Sequence, residues 1–217
     1  MTCLIDYLLS RSWPDEPVSP DEHKWVDLGL PSGTLWATCN VGANVPEEYG
    51  DYFAWGETEP KEDYTWGTYK WCNGTFNTQT KYCTNSSYGN NGFVDNKTEL
   101  DLEDDAAYVN WGSSWRMPSK AQQDELRNEC TWTWTTQNGV SGCLVNGPNG
   151  NTMFLPAAGY REYESLYDLG LSGYYWSRTL EDPHEAYYLY IYSGNMTWNP
   201  DDRCRGRSVR AVHVSQN

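Results

Sequence analysis

No stretch of the chain approaches the roughly twenty consecutive apolar residues that a membrane-spanning helix requires, and membrane insertion is not expected. Basic residues are scarce: 15 Lys and Arg stand against 30 Asp and Glu, a formal net charge of −15. Such a surface repels a phosphate backbone on average, so nucleic acid is not an expected partner. Arg203, Arg205, Arg207 and Arg210 gather near the C-terminus, but they do not outweigh the acids. Histidine is scarcer still. His23, His184 and His213 show no HExxH spacing, no glycine-rich phosphate loop follows a strand-like run, and the 7 cysteines include no CxxC pair. A structural zinc site and a phosphate-loop nucleotide site are therefore not expected, and no cofactor is. The opening Met1–Leu9 is apolar in part but has no basic n-region and no small-residue cleavage site. Either the chain is not exported by the general route or its signal lies outside this sequence.

Phenylalanine is also rare, with 4 residues against 12 Trp and 17 Tyr. Trp and Tyr carry a polar handle, which suits wet recognition surfaces as well as cores. The 217 residues fit one domain with a full hydrophobic core. Residues 1–22 read as an irregular lead-in, because 11–22 hold three prolines and four acids, and the domain is placed at 23–217. Short strands are predicted at Lys24–Leu28 and Thr34–Thr38. From Pro46 to Asn96 the chain is rich in Gly, Asn, Thr, Tyr and Trp without apolar periodicity, and a loop so long is either functional or tied down, here by aromatic side chains.

Two helices are legible. Asp101–Asn110 begins acid-rich and offers Ala106, Ala107 and Val109 to a core. The second starts at Ser119, with Gln122 at the capping-box position, and runs to about Asn128 with Ala121 and Leu126 inward. The pair Asn138-Gly139 predicts a two-residue hairpin turn that sets Cys143 opposite Trp134 and Val145 opposite Trp132, leaving Cys130 beyond the ladder. Cys72 and Cys83 flank a polar loop and are candidates for a disulfide. Further strands are predicted at Thr152–Leu155, Tyr174–Arg178, Ala186–Tyr192, Asn195–Asn199 and Ser208–His213. Few helices among many short strands give an α+β class dominated by antiparallel sheet.

Several segments, WVDLGLPSGTLWATCNVGA (25–43), YGDYFAWGETEPK (49–61), NWGSSWRMPSKAQQDEL (110–126), MFLPAAGYR (153–161) and GYYWSRT…SVRAV (173–212), resemble the Fibrobacter succinogenes major paralogous domain, a family abundant in gut Bacteroidetes. CTWTWTTQNGVSG (130–142) adds to the resemblance, which covers nearly everything from residue 24 onward in order. It implies a C-type-lectin fold with two short helices, long loops displayed on one side, and adjacent termini whose strands near Trp25–Leu28 and Val209–His213 pair. The family is similar, more distantly, to the formylglycine-generating branch of that fold. It also resembles scaffolds of variable proteins of diversity-generating retroelements, in which adenines near the 3′ end of the gene are rewritten.

On that resemblance the expected function is non-enzymatic binding of a protein or glycan ligand on a cell surface, from an extracellular, cell-surface or virion location. Alternatives are a fixed structural domain of an envelope or phage assembly, and a copper oxidase related to the formylglycine-generating enzymes. The copper chemistry needs two nearby C-terminal cysteines, and only Cys204 is there; Glu-Pro-Asn and Gln-Pro-Asp, which mark sugar-binding calcium sites, do not occur, and Trp198-Asn199 is followed by Pro200.

Strand alternation in Ala186–Tyr192 sets Tyr187, Leu189 and Ile191 on one face and Tyr188, Tyr190 and Tyr192 on the other. The tyrosine face reads either as a recognition surface or as a second aromatic core layer. Trp198–Arg207 reads as an irregular loop, either a self-neutralising surface or a binding loop. The expected ligand-binding set is Arg178, Asp182, His184, Tyr188, Tyr190, Tyr192, Trp198, Asn199, Asp201, Asp202, Arg205 and Arg207. Most of these, with Leu180, Pro200 and Cys204, are identities that adenine rewriting of an Asn codon can reach. The acidic run Asp95–Asp105 either holds a hard cation or is solvated and caps a helix. The sequons at Asn73, Asn85, Asn96 and Asn195 are read as incidental to an Asn/Thr-rich composition.

Overall fold

The computed structural model describes residues 23–214, so the irregular lead-in expected over 1–22 lies outside the described residues. In chain order the elements are β1 (Trp25–Asp27), β2 (Leu35–Ala37), α1 (Ala106–Trp111), β3 (Trp115–Arg116), α2 (Lys120–Glu129), β4 (Thr131–Gln137), β5 (Val140–Asn146), β6 (Thr152–Pro156), β7 (Tyr160–Glu162), β8 (Ser165–Tyr167), β9 (Ser172–Leu180), β10 (Glu185–Tyr192), β11 (Asn195–Asp202) and β12 (Val212–His213). The named strands all pair antiparallel, which makes the protein α+β with few helices.

The two ends of the described chain share one sheet, ordered β1-β2-β12-β3. The expected direct pairing of the first and last strands does not occur. Val212 lies opposite Trp36 of β2, and β1 occupies the other edge of β2. Burial explains the order. Trp36 and Val212 are buried and need the centre of the sheet, whereas Trp25 and Asp27 are exposed and belong on an edge. β3, which has too few residues to show a period, completes the sheet on the far side of β12.

Both helices are set by their caps. Asp105, rather than the acid-rich start at Asp101, caps α1: its carboxylate accepts from Ala107 N and Tyr108 N, and a short 3-10 turn over Leu102–Asp104 precedes it. Ala106 and Ala107 are buried as expected, but Val109 is 45 % exposed, because the six-residue helix turns only one short face inward. In α2 the capping box of Ser119 and Gln122 forms. Leu126 is buried; Ala121 is exposed, and Gln123 takes the inward position by donating from Nε2 to Tyr175 O at 3.0 Å.

The hairpin β4–β5 has the expected register, with Trp134 opposite Cys143 and Trp132 opposite Val145, and β6 extends it. Its turn places Asn138 at φ 49° and Gly139 at φ 87°, the left-handed pair that Asn-Gly favours. Cys72 and Cys83 are both free thiols, not a disulfide. Their sulfurs face backbone carbonyls instead, of Trp66 and Asn85 respectively.

The loop segment is anchored by aromatic side chains. Trp55, Tyr64, Tyr69 and Tyr82 are buried, and their polar atoms bond backbone, as in Trp55 Nε1 to Ser177 O at 2.8 Å and Tyr69 OH to Trp55 O at 2.7 Å. The third sheet, β9–β10–β11, lies at the centre. One face contributes Tyr174, Trp176 and Tyr188 to a core with Trp55, Trp111 and Trp115. Its other face contributes Tyr175, Leu189 and Ile191 to a second core with Leu28, Trp36, Leu126 and Leu155. The strand predicted at Asn195–Asn199 extends to Asp202, so half of the expected irregular loop is strand.

Asp105 joins these layers, because both of its oxygens also accept from Met117 N, at 3.0 and 2.9 Å. Asp105→Ala removes the helix cap, worth about 1 kcal/mol, and leaves a buried N–H unpaired, a further ~1–3 kcal/mol. Urea denaturation should show a loss of about 2–4 kcal/mol; a loss below about 0.5 kcal/mol would show that water or a neighbour replaces the carboxylate.

Candidate ligand-binding face

The register of the central sheet fixes which side chains surround the three tyrosines. β9 sets Trp176, Tyr174 and Ser172 opposite Tyr188, Tyr190 and Tyr192, and β11 sets Asn199, Thr197 and Asn195 on the other side. Tyr188 is only 7 % exposed, which corrects its assignment to an open surface. Tyr190 is half-buried and Tyr192 is 37 % exposed, while Leu189 on the opposite face is 2 % exposed. Alternation separates the faces as expected, but both faces are covered near β10's start, and only its end emerges.

The rings form a continuous ladder. Tyr192 stacks on Tyr190 at 5.1 Å, Tyr190 meets Tyr174 at 4.9 Å, Tyr174 meets Tyr160 at 4.8 Å, and Tyr160 stacks on Tyr167 at 5.4 Å. Tyr167 is 42 % exposed, so the ladder is open at both ends and closed in the middle. Tyr174 OH donates to Asp168 Oδ2 at 2.5 Å. Burial, and then the hydrogen bond to this carboxylate, push the phenol's pKa far up, so it stays a donor.

Arg207 is buried rather than displayed. Its guanidinium carbon lies 3.6 Å from the centroid of the Tyr188 ring, 4.7 Å from that of Trp176 and 5.0 Å from that of Tyr174. Asp201, on the tyrosine face opposite Ala186, pairs with its Nη2. Burial lowers the Arg207 pKa, and Asp201 opposes that shift. Arg205 spans Glu162 at 2.7 Å and Asp201 at 3.2 Å, carrying the charged border from the central sheet to β7.

Four other expected residues are elsewhere. Trp198 lies opposite Leu189, on the reverse face, where it meets Tyr187 edge-on at 5.3 Å and the Lys120 ammonium at 3.7 Å. Arg178 is held by Glu99 and by Met117 O. Asp182 shapes the β9–β10 turn, its Oδ1 accepting from His184 N at 2.9 Å and Glu185 N at 3.0 Å, while the His184 ring stacks on Tyr88 at 5.0 Å. Asp182, His184 and Glu185 bring potential metal-ligand atoms within 4.8 Å of one another, as do Asp101, Glu103 and Asp104. In the second group the cation is the protein's own: Lys81 Nζ lies 2.6 Å from Asp104 and 2.7 Å from Asp101.

Tyr160, Tyr167, Tyr174 and Thr197 belong to the face, and sequence reasoning missed them. Tyr174 lay in a predicted strand whose partner was unknown, and the β7–β8 hairpin gave no turn signal. Comparison with protein-family models, curated proteins and solved structures yields no match to this chain.

Asp201→Ala should destabilise the fold by about 3 kcal/mol, since it leaves a buried guanidinium without its counter-ion. A variant as stable as the parent would place that charge in contact with water. A pH effect comes from Glu185 and Asp202, opposite one another across β10 and β11. Burial, then Asp182 for Glu185 and Asp201 for Asp202, raise both carboxyls above their ordinary values. The folded state then holds these protons more tightly than the unfolded chain, so their contribution to stability falls as pH rises from the ordinary carboxylate range through the raised values. Denaturation curves across that window should show a shallower fall for Asp202→Asn; an unchanged slope would contradict the assignment.

Proposed function

We propose that the protein is a non-enzymatic ligand-binding module of the C-type-lectin fold, and that the open ends of the tyrosine ladder form its recognition face. The observation that carries this reading is the emergence of Tyr190 and Tyr192 beside Asn195, Thr197 and Asn199 from an otherwise buried aromatic layer. Tyrosine offers a large, rigid contact area at low entropic cost, and neighbouring amides and hydroxyls supply adaptable hydrogen bonds. A stacked ring whose partner is fixed in a core is preorganised, so little freedom is lost when a ligand settles on it. The ligand class is a protein or a glycan on a cell surface, and the family resemblance over residues 25–212 supports both the fold and this role.

Burial refines the idea that the C-terminal region is diversified. Leu180, Tyr188, Cys204 and Arg207 are buried, so free exchange there would cost the fold. Asp182, His184, Tyr190, Tyr192, Asn199, Pro200, Asp202 and Arg205 are at least partly exposed and tolerate change more readily.

Binding of the purified domain to a panel of glycans and to intact bacterial cells tests the assignment. Tyr192→Ala and Tyr190→Ala should each weaken a saturable interaction by about 2 kcal/mol. Tyr192→Ala should leave thermal stability unchanged, because its ring is the outermost rung. Full-strength binding by both variants would remove the ladder from the interface.

A further inference from the structure

A cleft of about 600 Å³ opens between residues 50–64 of the long loop segment and the β7–β8 hairpin. Its two walls are joined by reciprocal backbone bonds, Tyr64 N to Tyr163 O at 3.0 Å and Tyr163 N to Tyr64 O at 3.2 Å. Tyr52 and Tyr64, both buried, are among its lining residues and are fixed by their hydroxyls to Ala158 O and Tyr52 O. Arg161 lines it too, on the side of β7 opposite Tyr160, and its backbone is anchored both ways to Gly206. A concavity of this size, built on a fixed backbone, falls within the range of small-ligand sites, about 300–1,000 Å³.

Four charges in the cleft, on Asp51, Glu62, Arg161 and Glu164, are not engaged by the fold. Every other arginine among the described residues donates to a carboxylate, a backbone carbonyl or an amide oxygen. Arg161 makes no such bond; its nearest ring is Tyr52, with the centroid 5.5 Å away. Asp51, Glu62 and Glu164 line the same cleft and likewise make no side-chain hydrogen bond or ion pair with the described residues. Lys61 does not balance them, because Glu57 holds its ammonium at 2.9 Å.

A matching ligand brings one carboxylate and several hydroxyl groups. The planar guanidinium presents a fork suited to a carboxylate, and the three acids are acceptors only, so they answer hydroxyl donors. A polyanion supplies charge without donors and meets three negative groups. A neutral sugar supplies donors but leaves the guanidinium unanswered. We propose that this cleft binds an acidic sugar, a hexuronate residue of a glycan, with Arg161 as the carboxylate anchor. The site is separate from the tyrosine ladder and does not depend on that face being a recognition surface.

Calorimetric titration of the whole chain with methyl glucuronide, methyl glucoside and acetate tests this. The glucuronide should bind saturably and at least about tenfold more tightly than either control, since a hydrogen-bonded charge is lost in one case and the hydroxyls in the other. Arg161→Gln should remove about tenfold or more of the glucuronide affinity while thermal stability stays unchanged, and Arg161→Lys should retain part of it, having the charge without the fork. Tyr192→Ala should bind the glucuronide like the parent. Equal titration of glucuronide and glucoside, absence of saturation, or an unaltered Arg161→Gln variant would each overturn the proposal. Loss of glucuronide binding in Tyr192→Ala would overturn it as well, by moving the sugar to the ladder.

Discussion

The guanidinium of Arg207 is enclosed by the rings of Tyr188, Trp176 and Tyr174, with Asp201 as its counter-ion, and the central sheet is organised around that contact. A charge removed from water is tolerated only where aromatic faces and a paired carboxylate replace its hydration. Three strand segments must therefore keep their register: β9 supplies two rings, β10 the closest ring and β11 the acid. The same register carries the ladder outward from Tyr174 to Tyr190 and Tyr192. Exposed rings at the ends and a buried ion pair in the middle are parts of one aromatic layer.

The acid excess acquires a different meaning in this light. Arg203, Arg207 and Arg210 are all buried, so the C-terminal arginines face inward and do not form a basic patch. Arg203 donates to backbone carbonyls of Tyr82, Pro183 and Lys81, and Arg210 to Asn40 and to carbonyls of Ala37 and Thr38. Arginine here serves as a multi-pronged tie between loops that have few regular backbone partners of their own. Lys81, held by Asp101, Glu103 and Asp104, does the same for the acidic run. The cations thus hold loops together, and the surplus acids remain on the outside.

Features governed by local chemistry were legible in the sequence. The Asn138-Gly139 turn and the Ser119/Gln122 box each specify backbone geometry within a few residues, and the Trp134–Cys143 register follows from the turn alone. Features governed by what lies across a sheet were not. Tyr188, Tyr190 and Tyr192 alternating with Leu189 and Ile191 look amphipathic, yet both faces of the sheet are covered everywhere but at the end of β10, because a tyrosine layer packs as well as an aliphatic one. Trp198 fell on the wrong face because its partner in β10 is fixed by the β10–β11 hairpin pairing, which was not assigned. The β7–β8 hairpin went unseen because its turn places Tyr163 at φ 54°, a left-handed conformation that tyrosine gives no hint of adopting. The Arg161 cleft depends on chain segments about a hundred residues apart and has no local signature at all.

One aromatic layer, closed in its middle and open at its ends, runs through the central sheet. Hydroxyl-radical footprinting, read tyrosine by tyrosine by mass spectrometry, measures that distribution directly. Tyr192 and Tyr167 should be oxidised rapidly, and Tyr174 and Tyr188 should be protected until the protein unfolds. Oxidation of Tyr188 as fast as Tyr192 in the native protein would mean that this face of the sheet lies open to water and that Arg207 is not held as described.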